Sequence, residues 1–240
     1  MATYVISDIH GCYEEYVELL EKLQLSNLDD LYILGDAMDR GPEPIKVMLD
    51  IISRPNVFYI LGNHDALMFF ALRLSEKGTA YAEEAYADWM QNGGNVTARQ
   101  FQALPMEVQQ EIWTYLEDAP AYDVVECGNK RFILAHAGIE NFHEDKSLED
   151  YDMEDFLWNR TDYGRKLFSN DRSFLVTGHT PTPLIRPDRR PLVYEENGHI
   201  AIDCGCVFGG ALAAYCIETG QATYVPNKNN SPTASEMKAQ

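Results

Sequence analysis

LYILGDAMDRGP, Leu31 to Pro42, is the stretch on which the reading of this chain turns. Four apolar residues, Leu31 to Leu34, run straight into Gly35, the pattern of a buried parallel strand that stops at a tight turn. Asp36, Asp39 and Arg40 follow that turn directly. Two carboxylates beside a guanidinium, on a loop at the carboxyl end of a strand, suit a site that holds metal ions and grips a phosphate. Asp and Gly are also ordinary turn residues, so the stretch alone decides nothing. The decision comes from four other strand-like runs that end the same way.

Working outward, Thr3 to Ile6 reads as a first strand followed by SDIHG, Ser7 to Gly11. Tyr16, Val17, Leu19, Leu20 and Leu23 then recur at helical spacing. Pro42 and Pro44 lead into a helix around Ile45 to Ile52, and Val57 to Leu61 is a third buried strand ending in GNHD, Gly62 to Asp65. A helix from about Ala66 to Leu74 follows. This βαβαβ rhythm predicts a parallel sheet with its loops clustered at one edge, where such sheets bind ligands.

The rhythm breaks between about 75 and 119, which reads as a helical insertion capping the sheet edge. Trp89, Phe101, Ile112, Trp113 and Leu116 are its packing residues, and Asn92-Gly93-Gly94 breaks it. Tyr122 to Glu126 and Arg131 to Leu134 read as a hairpin that ends in AHAG, Ala135 to Gly138. Glu140 to Asp155 reads as an acidic solvated loop with a short helix, and Phe156 to Arg160 (FLWNR) as buried-type residues leading into an arginine. Phe174 to Thr177 is a strand ending in Gly178-His179-Thr180. Leu192 to Val225 reads as antiparallel strands with turns at Asn197-Gly198 and Thr219-Gly220, and Pro226 to Gln240 as a disordered tail.

Composition bounds the function. A chain of 240 residues can bury one sizeable core, and a net charge of −19 excludes non-specific attraction to nucleic acid or anionic membrane. A phosphorylated substrate meets an unfavourable long-range field, so its site must supply local positive charge from arginines and cations. Cys12, Cys127, Cys204, Cys206 and Cys216 are odd in number and lack CxxC spacing. With no secretory h-region and no apolar run near the roughly 20 residues that span a bilayer, the expectation is a reduced, cytoplasmic, soluble protein.

Of six histidines, His10, His64, His136 and His179 sit at a strand end or in the loop after it, whereas His143 and His199 do not and receive no role. Asp8, His10, Asp36, Asn63, His136 and His179 form an oxygen and imidazole donor set without thiolate, suited to divalent metals such as Mn²⁺, Fe or Zn²⁺. Six ligands are too many for one catalytic ion, which must keep positions open. They suffice for two ions sharing a bridging carboxylate, held roughly 3.5–4 Å apart, an arrangement that serves hydrolysis of phosphate esters or anhydrides.

In that order, SDIHG, GDAMDRG, GNHD, LAHAG and GHT resemble the metallophosphoesterase signature of the PPP-type phosphoprotein phosphatases, specifically their compact bacterial and phage branch. The resemblance runs from Ser7 to about Gly210. It implies an α/β, calcineurin-like fold: a central β-sandwich flanked by helices in four layers, forming a single domain over 1–225. It also implies a first metal held by Asp8, His10 and Asp36 and a second held by Asp36, Asn63, His136 and His179, with Asp36 bridging and Mn²⁺ the expected ion. A bridging water or hydroxide would attack phosphorus directly. His64 resembles the family's general acid and Asp39 its partner, while Arg40 and Arg160 match the phosphate-gripping arginines.

Some positions depart from that pattern. Asp65 stands where the phosphatases often carry Glu, and Met38 replaces a more usual small aliphatic. IDCGCVFGGALAAY, Ile202 to Tyr215, and LAHAG also resemble the symmetrical diadenosine tetraphosphatases of the same superfamily. Those relatives can lack the acid of the DRG triplet, which is present here as Asp39. The expectation is therefore a metal-dependent phosphatase acting on phosphoserine and phosphothreonine proteins and small phosphomonoesters, with symmetrical dinucleoside-tetraphosphate hydrolysis as the alternative. A catalytically dead binding scaffold would show a lost ligand or acid, and every expected position is filled.

Overall fold

The computed structural model describes residues 1–75 and 80–228. Along the chain come β1 (Thr3–Ile6), α1 (Tyr13–Leu23), β2 (Asp30–Leu34), α2 (Pro44–Ile52), β3 (Val57–Ile60) and α3 (Asn63–Ser75). The insertion carries α4 (Ala80–Trp89), α5 (Asn95–Gln102) and α6 (Met106–Glu117). After it come β4 (Tyr122–Cys127), β5 (Lys130–Ala135), α7 (Met153–Leu157), β6 (Ser173–Thr177), α8 (Thr182–Ile185), β7 (Tyr194–Glu196), β8 (His199–Ala201), β9 (Ala211–Cys216) and β10 (Ala222–Pro226).

Two mixed five-stranded sheets form, in the orders β10-β9-β1-β2-β3 and β4-β5-β6-β8-β7. Alternation along each strand explains why they stack. Val5, Leu34 and Ile60 point from the first sheet into a core shared with Phe132, Leu134, Val176 and Ile200 of the second. Their neighbours Ile6, Ile33 and Tyr59 face the other way, under Tyr16, Met48, Met68, Trp89 and Ile112 of the helices. Strands with apolar residues on both faces need both faces covered, and a sandwich flanked by helices meets that need.

The outer face of the second sheet is covered differently. Ile133, Ala135 and Leu175 pack beneath Leu148, Tyr151, Phe156 and Phe168. The acidic loop is thus solvated on one side only, and its short 3₁₀ turn (Leu148–Asp150) and α7 supply the covering layer.

Several sequence expectations are corrected in detail. The Leu192–Val225 strands do form two antiparallel hairpins, but the hairpins join different sheets, and β8 runs parallel to β6. The crossing is made by residues 202–210, a connection that hydropathy alternation does not reveal. Asn197 (φ 57°) and Gly198 (φ 83°) make the two-residue turn with positive φ that matches strand twist. The GNHD segment is not a free loop: α3 begins at Asn63, and Ala66 N–H bonds Gly62 C=O at 3.1 Å. In FLWNR, Phe156 and Leu157 are buried, but Trp158 is 44% exposed. Pro226 belongs to β10, and Lys228 N–H bonds Glu15 Oε1 at 3.0 Å, so the expected tail starts later; residues 229–240 lie outside the described residues. Among the described residues no helix is long and apolar enough to cross a membrane.

Candidate metal centre

Parallel pairing brings the loops after β1, β2 and β3 to one sheet end, with Ile6 opposite Ile33 and Leu34 opposite Ile60. Backbone bonds then zip the first two loops together: His10 N–H to Asp36 C=O and Gly11 N–H to Ala37 C=O, both 2.9 Å. The sharp re-aiming of side chains shows in the dihedrals. Asp8, His10, Asp36, Asp39, Arg40 and His179 all have φ between 45° and 68°, six of the ten non-glycine residues with positive φ among the described residues. Such conformations cost of order 1–3 kcal/mol each and cluster where a site over-determines them. Crowding is equally local: a Cβ on Gly62 would lie 2.2 Å from Asp36 Oδ1.

The six donor residues converge. His10 donates Nδ1–H to Met38 C=O and His136 donates Nδ1–H to Leu34 C=O, each at 2.7 Å. Each ring thus carries a proton on Nδ1 and turns Nε2 toward the donor cluster, with the carbonyl as the second partner that metal-ligating histidines generally use. Each Nε2 lies 3.5 Å from Asp36 Oδ2. Asn63 Oδ1 lies 2.7 Å from His136 Nε2 and 3.0 Å from His179 Nδ1. Asp8 Oδ2 accepts from His179 N–H at 2.8 Å and from the Ser7 hydroxyl.

Two overlapping groups of donors fall within 4.8 Å: His10, Asp36 and His64, and Asp8, Asp36 and His136. Asp36 is the member common to both, as a bridging carboxylate must be. His64 also falls within the first group, and Asp8, which falls within the second, has Oδ1 4.0 Å from His10 Nε2. Asp65 anchors the centre from behind, its Oδ2 accepting from Tyr59 OH (2.7 Å), Gly62 N–H (2.9 Å) and Asp36 N–H (3.1 Å).

Burial governs the electrostatics. It holds His10 well below the usual imidazole range, helped by the Arg40 guanidinium, and drives His179 down to about 2, helped by His136 and Arg160. Burial also pushes the Asp36 carboxyl well up, and the neighbouring Asp8 charge adds to this. Neutral imidazoles and crowded carboxylates around one point are the donor set that divalent cations compensate, so the residues present fit a metal pair.

The other predicted residues lie on the cleft above. His64 Nδ1 meets Asp39 Oδ2 at 2.8 Å, with both side chains buried, so Nε2 is left for the cleft. Arg40 donates to His10 Nε2 at 2.6 Å and lies over the Phe208 ring at 5.4 Å. Asp36, Arg40, Asn63, His64, Arg160 and His179 line a cleft of about 240 Å³, completed by Asn92 and Trp158.

Sequence reasoning missed several participants. Trp89, read as core, is fully buried, yet its Nε1–H bonds Asp39 at 2.9 and 3.1 Å. Thr97 Oγ1 accepts from Asp39 N–H at 2.9 Å, and Gly93 C=O accepts from Arg40 N–H at 3.0 Å. The insertion therefore builds the wall that holds Asp39 and Arg40. Asp203 is also buried in the site; burial and the adjacent Asp8 charge push its carboxyl well up. Its only sequence signal was the IDCG segment, in which no role was assigned.

The sequence profile of the calcineurin-like phosphoesterases matches residues 1–223. The chain belongs to the calcineurin-like phosphoesterase family. As such a phosphoesterase it resembles a bis(5'-nucleosyl)-tetraphosphatase PrpE [asymmetrical] of Geobacillus sp. (strain WCH70), with 29% identity covering 93% of this chain and 96% of that protein. The protein of the same name from Bacillus subtilis (strain 168) is 28% identical, covering 95% of each chain. Among solved structures, a candidate diadenosine tetraphosphatase superposes with TM-score 0.64 at 23% identity over 95% of each chain. A serine/threonine phosphatase from Saccharomyces cerevisiae superposes with TM-score 0.55 at 11% identity, covering 98% of this chain and 82% of that one. This calcineurin-like phosphoesterase thus shares its fold with both substrate classes that its sequence brought into question.

Proposed function

We propose that this phosphoesterase hydrolyses bis(5'-nucleosyl) tetraphosphates asymmetrically, splitting the four phosphates one and three. The observation that carries the reading is similarity along the whole chain to proteins named for that reaction. It reverses the order expected from sequence, which placed phosphoproteins first, and it replaces the symmetrical split by an asymmetrical one.

Asp8, His10, Asp36, Asn63, His136 and His179 would hold two divalent ions, with Mn²⁺ the first candidate and Fe or Zn²⁺ alternatives. When bound, such ions supply positive charge to phosphoryl oxygens and lower the pKa of water. The chain's own residues do the rest. Arg40 and Arg160 place guanidiniums at the cleft, giving bidentate purchase on phosphate within a strongly acidic molecule. His64 would donate a proton to the departing oxygen, with Asp39 fixing its orientation through the 2.8 Å bond.

One observation favours keeping phosphomonoesters and phosphoproteins as a second reading. The His64–Asp39 pair is intact and firmly held. An anhydride expels a phosphate oxygen that departs readily as an anion, whereas a serine alkoxide needs the proton.

Chromatography of products after incubating diadenosine tetraphosphate with the Mn²⁺-loaded protein tests the proposal. Equal amounts of AMP and ATP are expected, with kcat/KM exceeding that on a phosphoserine peptide. ADP as the sole product would restore the symmetrical split; no turnover alongside phosphopeptide hydrolysis would make the second reading the function.

A further inference from the structure

FLWNR places three large apolar side chains in a row, and the fold treats them unequally. Phe156 and Leu157 are each 1% exposed, while Trp158 is 44% exposed. The segment is well anchored. An Asp152/Asp155 capping box starts α7, Ala137 N–H bonds Phe156 C=O at 2.9 Å, and Glu140 N–H bonds Asp155 C=O at 2.8 Å. The indole is thus carried into solvent by a fixed support. Trp89 and Trp113 are 0% and 8% exposed, which is what a large aromatic side chain favours when it can pack.

The place of exposure is specific. Among the described residues Phe58 and Phe70 are also large exposed aromatics, but Trp158 is the one that lines the cleft holding Arg40, His64 and Arg160. Arg160, two residues on, brings a guanidinium to the same cleft. A flat apolar ring and a phosphate-gripping cation on one short segment match the two ends of a nucleotide, its base and its phosphate.

We infer that the indole face of Trp158 is the platform on which a nucleobase of the substrate stacks, making Trp158 a base-binding residue of this cleft. The inference rests on the dinucleotide reading above and deepens it by assigning the contact that separates nucleotides from other phosphates. Stacking on an aromatic ring is tolerant of base identity, because every base has a π-face. The platform therefore selects for a base without selecting which one.

The test compares AMP with ribose 5-phosphate, which shares its sugar and phosphate and carries an anomeric hydroxyl in place of the base. Dissociation constants are measured on the Mn²⁺-loaded protein by competition and by tryptophan fluorescence, the other two indoles being buried. The wild type is expected to bind AMP roughly 5–150-fold more tightly than ribose 5-phosphate, the usual range for one stacked base. AMP should quench its fluorescence. Trp158→Ala should bind the two equally, with its affinity for ribose 5-phosphate unchanged, and Trp158→Phe should keep part of the preference and lose the quenching. Equal wild-type affinities, or an AMP preference that survives Trp158→Ala, would overturn the inference. So would a Trp158→Ala defect confined to phosphopeptide binding, which would make the indole a peptide-docking group. If the base preference depends on Trp158 while diadenosine tetraphosphate is not turned over, the stacking platform stands and the substrate reading falls.

Discussion

The donor cluster and the His64–Asp39 pair meet at one cleft but are held by different parts of the molecule. The donors hang from strand ends of both sheets. Their loops are zipped backbone to backbone, and His10 and His136 are locked by main-chain carbonyls of Met38 and Leu34. Asp39 is held instead by side chains of the insertion, Trp89 and Thr97. Sheet architecture thus fixes the donor cluster, and a separate helical layer holds the His64–Asp39 pair. On the proposed reading, metal holding and proton donation should fail independently.

The largest effect should come from Asp36→Asn, which strikes the shared member of both donor groups. Metal analysis should find clearly less than two equivalents, and activity on every substrate should fall beyond the roughly 10–100-fold that outer-shell changes cost. The rise in melting temperature on adding Mn²⁺ should shrink, because ligand stabilisation scales with affinity. Two tightly held ions in this variant would break the assignment of Asp36 as bridge. Asp8→Asn should mainly weaken one site.

Arg160→Ala sharpens the comparison from the phosphate side. Inorganic phosphate should inhibit about tenfold less strongly, the lower end of a hydrogen bond to a charged group, with metal content unchanged. An unaltered inhibition constant would remove Arg160 from the phosphate site.

Next comes Trp89→Phe, which keeps a ring in the core and deletes one N–H to Asp39. The expected loss is about tenfold in kcat on a phosphoserine peptide, the smallest that such supporting hydrogen bonds usually cost, with metal stoichiometry intact. Thr97→Val would leave the Asp39 N–H unpaired in a buried setting, and chemical denaturation should register about 1–3 kcal/mol of lost stability. Reduced metal content in either variant would mean that the insertion also shapes the donor cluster.

Much of the site was legible because its signals are short-range. An apolar run, a glycine and a polar ligand lie within a few residues of one another, and parallel pairing then gathers all such ends together. Asp8, His10, Asp36, Asn63, His136 and His179 were found this way, and the structure brings them together. What stayed hidden depends on distance along the chain. Trp89 and Thr97 reach Asp39 from 50 and 58 residues away, and helical periodicity reports a buried face without naming what it meets. Trp158 was read as buried because its neighbours are, and hydropathy cannot tell an aromatic that packs from one held out for a ligand. The entry of β8 into the second sheet, parallel to β6, follows from a crossing made of residues 202–210, whose direction no local pattern encodes.

The most direct test of the separation is His64→Asn, assayed under single-turnover conditions on diadenosine tetraphosphate and on a phosphoserine peptide, with bound metal measured in the same samples. The variant should retain both ions and lose roughly 10²–10⁴-fold on the peptide, whose alkoxide needs a proton, and far less on the anhydride. Equal losses on the two substrates at unchanged metal content would contradict the account, making His64 a phosphate-positioning residue and not the acid.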